Sequence, residues 1–421
     1  MVAQNPQPQQ NRTVSLKQAA MFERLRAPLQ TSPHGAQDVS GLADAALLGL
    51  LKGRGAGINP ANRFESTSLV AEGEWLESVR CEQLAAQPTE AIRRGIDTHI
   101  FDDDSKSVLN KVESPDLPFS VTLNPYRGCE HGCIYCYARP GHEYLGLSSG
   151  LDFETKIFAK RDVATLLRKE LSKPSWIQKD ENGEPVVQPI MMAGVTDVYQ
   201  PIEAELGLTR QCLQVMLDTR QPVTMITKSK LILRDIDILK ELAAKNLVRV
   251  AISVTTLDNQ LASIMEPRAA APRGRIDVIR TLASAGVPVM VMTAPIIPGL
   301  NDSEIPSLLR EASRAGAIGA GYVLLRLPFQ IKAIFIEWLQ RHFPQRAAKI
   351  EALIRDTREG ELYQSKFFER GRGTGALADQ IRVTFEVFRK KYKLAARMPV
   401  LDTKSFRALS GRDVVGQLGL F

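Results

Sequence analysis

Cysteine is scarce in this chain. Five cysteines among 421 residues, an odd number, exclude a scaffold braced by disulfides, since such scaffolds are short and pair their cysteines. Long apolar runs are missing as well, and none reaches the roughly twenty residues that cross a bilayer. The Gln-, Pro- and Asn-rich start offers no apolar stretch for a secretory leader, so a cytoplasmic setting that keeps thiols reduced is expected. Aromatics are only 6% of residues, and neither charge sign dominates: 54 Lys and Arg against 47 Asp and Glu leave a net charge of +7. That mild excess permits a polyanionic partner without demanding one, because scattered cations mostly sit on solvated faces. What the chain does have is core material, 44% hydrophobic, in a length compatible with a barrel-type α/β domain plus extensions.

Three of the five cysteines fall in one loop, residues 124–137, as Cys129, Cys133 and Cys136. The spacing C-x3-C-x2-C suits one cubane iron-sulfur cluster, because thiolates are soft ligands for iron and short spacers let the backbone wrap the metal. Clusters normally take four cysteines, so three leave one iron open to an exchangeable ligand. An apolar stripe on a buried helix would explain the same spacing, but Pro125, Gly128 and Gly132 interrupt a helix. A zinc knuckle completed by His131 or His142 stays open on ligand type alone.

From residue 119 onward strand-like and helix-like stretches alternate. Runs rich in Val, Ile, Met and Leu at 119–123, 189–193, 222–227, 248–254, 287–292 and 322–325 predict strands. Helical periodicity fills 162–171, 205–219, 231–245, 275–285 and 303–315. This rhythm implies parallel strands with helical crossovers, about six units forming an α/β partial barrel. Ligands of such sheets bind beyond the carboxyl ends of the strands, and the cysteine loop directly follows the first one. The expected organisation is a disordered tail at 1–14, an N-terminal extension at 15–118, the barrel at 119–330 and a helical C-terminal extension at 331–421. A glycine-rich stretch at 53–60 fits tight turns and is weakly compatible with phosphate binding. Near the other end, Tyr363, Phe367 and Phe368 accompany an excess of Lys and Arg. Two readings of that end remain: a nucleic-acid surface, or a helical cap on the open edge of the barrel.

The string N-P-Y-R-G-C-x-H-G-C-x-Y-C-Y-A-R at 124–139 resembles the cluster motif of the radical S-adenosylmethionine (SAM) superfamily, in the branch related to spore photoproduct lyase and called DNA repair photolyase-like. The stretch 59–65 also resembles a segment found upstream of the loop in that branch. The resemblance implies a (β/α)6 radical SAM barrel, one [4Fe-4S] cluster on Cys129, Cys133 and Cys136, and SAM as cofactor. It further implies reductive cleavage of SAM to a 5'-deoxyadenosyl radical that abstracts hydrogen, and an external one-electron reductant of flavodoxin or ferredoxin type.

By the same resemblance, the cofactor contacts fall at the strand ends: Gly194, Thr196 and Asp197 after the second strand, where the superfamily often has two glycines and an acidic residue. Ser253, ending the fourth strand, corresponds to a ribose contact. Ile297 and Gly299 after the fifth, together with the backbone of Tyr135, face the adenine. Lyase-like repair of nucleic acid is the activity implied, with protein or tRNA modification by the same chemistry as the alternative. Relatives of this kind use a further cysteine as hydrogen donor, and only Cys81 and Cys212 are spare. Cys212 lies on the apolar side of a helical run and reads as core. A noncatalytic zinc or iron-sulfur module gripping nucleic acid is the competing class. It predicts zinc, or a cluster that does not respond to SAM.

Overall fold

The Val- and Ile-rich runs become strands because β-branched side chains pack well on a pleated, covered surface. In the computed structural model, which describes residues 53–64 and 97–408, the strands are β1 (His99–Asp102), β2 (Leu109–Lys111), β3 (Val121–Leu123), β4 (Tyr126–Arg127), β5 (Lys156–Ala159), β6 (Gln178–Lys179), β7 (Pro185–Val186), β8 (Ile190–Met192), β9 (Val223–Thr227), β10 (Val248–Ser253), β11 (Val289–Ile296) and β12 (Gly319–Leu324). The tail at 1–14 and Cys81 lie outside the described residues.

Six of these strands, β3, β8, β9, β10, β11 and β12, lie side by side in chain order, and every neighbouring pair is parallel. This is the α/β partial barrel that the alternation predicts. β2 adds an antiparallel edge next to β3, so the main sheet also draws on residues before 119. A second, small sheet of order β1-β5-β4 has no counterpart in the sequence reading, because its strands are too short to show periodicity.

The crossovers are α1 (Leu151–Thr155), α2 (Val163–Leu171), α3 (Glu203–Leu206), α4 (Leu208–Thr219), α5 (Ile236–Ala244), α6 (Asn259–Met265), α7 (Pro272–Ser284) and α8 (Ile305–Arg314). The helix expected at 205–219 is broken at Gly207, whose φ of 63° is left-handed and ends α3 before α4 begins. Residues alternate along the strands: Val223, Met225, Val248, Val250, Ile252, Val289 and Val291 are buried under the helices. Their neighbours Thr224, Arg249, Ala251, Met290 and Met292 are only half-buried.

After β12 come α9 (Ile331–His342), α10 (Ala347–Asp356) and α11 (Gly375–Lys391). The chain then returns to the open edge of β12, where Ala320 N–H donates to the Ala395 carbonyl at 3.0 Å and Ala395 N–H donates to Ile318 at 2.9 Å. An edge strand is thereby covered, as edges must be. Among the described residues no helix is long and apolar enough to cross a membrane.

A candidate iron-sulfur and cofactor site

The cysteine loop leaves β3 and β4 at the carboxyl end of the sheet. Its glycines are required by geometry. Gly128 and Gly132 have φ of 80° and 65°, a region that side-chain-bearing residues rarely enter. A Cβ on Gly132 would also stand 2.7 Å from Glu154 Oε2. Backbone bonds from Cys129 N–H to the Phe153 carbonyl (2.9 Å) and from Ile134 N–H to the Met265 carbonyl (3.1 Å) tie the loop to its neighbours.

Arg139 holds the loop from within. Fully buried, it donates to the carbonyls of Cys133 (2.9 Å), Ser149 (3.2 Å) and Gly150 (2.9 Å) and to Glu154 Oε1 (2.5 Å). Glu154 in turn accepts from the backbone N–H groups of Gly55 (3.0 Å) and Ala56 (2.9 Å). The glycine-rich stretch at 53–58 thus wraps an anion, but that anion is the protein's own carboxylate. The weak phosphate-loop reading of 53–60 is therefore corrected at these two amides. A Cβ on Gly55 would lie 1.8 Å from the Gly132 carbonyl oxygen, so the segment packs directly on the cysteine loop.

Cys129 and Cys133 are buried and Cys136 is half-buried. Burial pushes the Cys129 thiol well up, and Asp197 and the two other cysteines add to it. Cys133 is pushed up to about 12 by burial, with Glu266 and Cys136 adding and Lys228 opposing. Three crowded thiols in a dry site repel one another as thiolates, and a cationic iron core relieves that repulsion. The Asp197 backbone N–H opposes the rise at Cys129, the kind of polar influence that tunes a cluster ligand. The donor set fits an iron-sulfur cluster.

Zinc fits less well. Four ligands at about 2.0–2.3 Å from one ion must converge on a point, and no three His, Cys, Asp or Glu among the described residues are gathered for a single ion. A cubane gives each thiolate its own iron and accepts a wider spread. His142 Nε2 bonds the Lys156 carbonyl at 2.9 Å, with Phe153 edge-on at 5.3 Å. His131 Nδ1 lies 3.2 Å from Asp197 Oδ2.

The expected cofactor residues are distributed as follows. The Gly194 carbonyl accepts from the Tyr137 hydroxyl at 2.5 Å. Thr196 is buried, and its hydroxyl stands 3.5 Å from the Tyr126 carbonyl. Asp197 is occupied by His131, the Thr227 hydroxyl (2.7 Å) and the N–H groups of Lys228 (2.8 Å) and Tyr199 (3.0 Å). Burial would raise its pKa, but His131 and these donors outweigh burial and hold it below the usual carboxylate range. Its side chain braces the cysteine loop through His131. Ser253 ends β10 and is buried, and its hydroxyl has no hydrogen-bond partner among the described residues. Ile297 packs with Cys133, Ile134 and Tyr135 in one apolar cluster, and its N–H donates to Asn301 Oδ1 at 2.6 Å. Gly299, with φ of 75°, makes the following turn.

Several site residues carry no sequence signal because their partners are remote in the chain. The Tyr135 hydroxyl bonds Glu266, which also takes the Thr255 hydroxyl (2.7 Å) and pairs with buried Arg275. Lys228, at the end of β9, has its ammonium 5.7 Å from the Tyr135 ring centre and no carboxylate in ion-pair distance among the described residues. Burial opposes its charge, yet Cys133 and Glu266 more than compensate and raise its pKa. Cys212 is fully buried on α4, in the core as its apolar run predicts.

A family model described as the radical SAM superfamily matches residues 123–312. This chain belongs to the radical SAM superfamily. An uncharacterized protein of Mycobacterium tuberculosis (strain ATCC 25618 / H37Rv) is 35% identical over 253 residues, which are 59% of this chain and 72% of that one. An uncharacterized protein of Methanocaldococcus jannaschii is 28% identical over 200 residues, 48% of this chain and 68% of its own. Among solved structures, spore photoproduct lyase complexed with dinucleoside spore photoproduct matches with a TM-score of 0.50 at 15% identity, covering 73% of this chain and 83% of that one. At that identity the likeness concerns the fold. Radical SAM enzymes use a [4Fe-4S] cluster and SAM, the cofactors expected for this radical SAM chain.

Proposed function

We propose that Cys129, Cys133 and Cys136 hold a single [4Fe-4S] cluster with one open iron, and that the chain abstracts hydrogen from a nucleic-acid substrate. When bound, the reduced cluster supplies one electron that splits SAM into methionine and a 5'-deoxyadenosyl radical. An external flavodoxin- or ferredoxin-like protein delivers that electron.

The observation that carries this reading is the arrangement around the thiols at the carboxyl ends of six parallel strands. The Lys228 ammonium and the Ser253 hydroxyl, both without partners among the described residues, suit the cofactor's carboxylate and its ribose. Ile297 and the backbone of Tyr135 offer an apolar seat for adenine. Asp197 already serves His131, so the amino group of the cofactor falls to backbone carbonyls after β8, Gly194 among them. Ile134, Leu261, Met265, Leu325 and Leu327 wall the loop with apolar side chains, which keeps water from a reactive primary radical. Nucleic acid as substrate is supported by the net charge of +7 and by the arginine-ring contacts of Arg326 with Tyr137 and Arg370 with Phe367.

The test is anaerobic reconstitution with iron and sulfide, reduction, and addition of SAM with and without single-stranded oligonucleotide. The expected result is a SAM-dependent change in the cluster's paramagnetic resonance and release of 5'-deoxyadenosine, increased by the oligonucleotide. A fully loaded cluster that ignores SAM would overturn the radical reading, and cleavage indifferent to nucleic acid would overturn the substrate.

A further inference from the structure

Arg326 follows β12, the sixth parallel strand, and therefore stands at the same end of the sheet as the cysteine loop. Its guanidinium lies 5.1 Å from the ring centre of Tyr137, the residue after Cys136. No carboxylate pairs with it among the described residues, and its Nε is buried without a hydrogen-bond partner.

A second arginine adjoins it. Arg358 is 1% exposed and donates to the Leu325 carbonyl at 2.7 Å and the Glu369 carbonyl at 3.1 Å, with its own Nε unpartnered. The carboxylate of Glu369 is directed to Lys366 at 3.5 Å. Burial pushes Arg358 down to about 10, and the like charge of Arg326 adds to the shift. Among the described residues two neighbouring guanidinium groups thus lack a carboxylate, and burying the unpaired charge of Arg358 is costly. An anion delivered from outside removes that cost, and the guanidinium fork matches the oxygens of a phosphate.

The surroundings select among phosphate-bearing ligands. Tyr137, Phe367 and Phe368 are 48%, 49% and 63% exposed, and Arg370, paired with Asp116, lies over Phe367 at 4.8 Å. Exposed rings interleaved with cations are how single strands are held, by stacking bases and neutralising phosphates. A small phosphate metabolite has no use for so many rings.

We infer that Arg326, with Arg358 beside it, binds a backbone phosphate of single-stranded nucleic acid and so positions one nucleotide against Tyr137 at the cluster. This rests on the nucleic-acid reading above and adds the residue that fixes register.

The test uses the full-length, cluster-loaded protein and a fluorescein-labelled oligothymidylate of about ten nucleotides, titrated at several salt concentrations. Arg326→Gln should weaken binding about tenfold and lower the slope of log affinity against log salt by about 0.7, the share of one single-strand phosphate. Arg314→Gln, on an exposed arginine paired with Glu311, should change neither. Iron content checks that each variant folds. Should Arg326→Gln lose iron, Arg326→Lys takes its place: it keeps the charge but loses the fork, so affinity should fall while the salt slope stays. Binding by Arg326→Gln with unaltered affinity and slope would sink the assignment and leave the nucleic-acid reading standing. Failure of the unaltered protein to bind the oligonucleotide even at low salt would sink both.

Discussion

Cys133 and Cys212 are both buried cysteines with raised thiol pKa values, yet only the first lies among other thiols. Cys133→Ala should abolish iron retention and SAM cleavage, whereas Cys212→Ala should keep its iron and lose about 1 kcal/mol of stability, the scale of one small buried group. Iron and sulfide analysis with thermal melting checks both, and full iron in Cys133→Ala would refute the ligand assignment. His142 supplies a pH dependence. Burial lowers its pKa from 6.5 to about 4, so below pH 6.5 the unfolded chain takes up a proton that the folded chain refuses. Stability is complete above about 6.5 and declines as the pH falls toward 4, by on the order of 3 kcal/mol. His142→Gln, which can still donate to the Lys156 carbonyl, should flatten the loss of melting temperature between pH 6.5 and 4 relative to the unaltered protein. An identical slope in both would show that another group titrates.

The segment at 53–58 acts as a unit. It delivers two N–H groups to Glu154, which also receives Arg139, and it presses Gly55 onto the Gly132 carbonyl. Gly55→Ala forces a Cβ into a backbone oxygen that has little freedom to move, and should destabilise the chain by about 1–3 kcal/mol. Because the contact is with the cysteine loop, the cluster should also bleach faster in air. Gly141→Ala, whose Cβ would meet nothing within 4 Å, should stay within about 1 kcal/mol of the parent. Chemical denaturation and the decay of visible absorbance distinguish the two, and equal behaviour would mean the segment does not brace the loop. The glycine pattern was legible in the sequence. Its partner was not, because Glu154 lies about a hundred residues away and carries no local mark.

Across the whole molecule, the parallel sheet brings the ends of β8, β9, β10, β11 and β12 to the loop after β3. Three thiols that would repel one another as thiolates are gathered in the folded chain and scattered in the unfolded one. A cluster that binds only the folded form must stabilise it. Removing iron with a chelator under anaerobic conditions should lower the melting temperature by about 5 °C or more. Coincident melting of loaded and iron-free protein would contradict this.

The sequence alone displayed the spacing of the thiols and the order of the sheet. Ligand spacing within fourteen residues and a period of alternating strands and helices are local properties that a single chain displays. The six strand runs at 119–325 all appear as strands, with ends shifted by a few residues where flanking turns and the longer β11 set the limits. Tertiary structure alone decided which charges are paired. Folding placed His131 and Thr227 against Asp197, and it left Arg326 without a carboxylate among the described residues. Whether a polar side chain is free depends on partners dozens or hundreds of residues away, and only the packed chain brings them together.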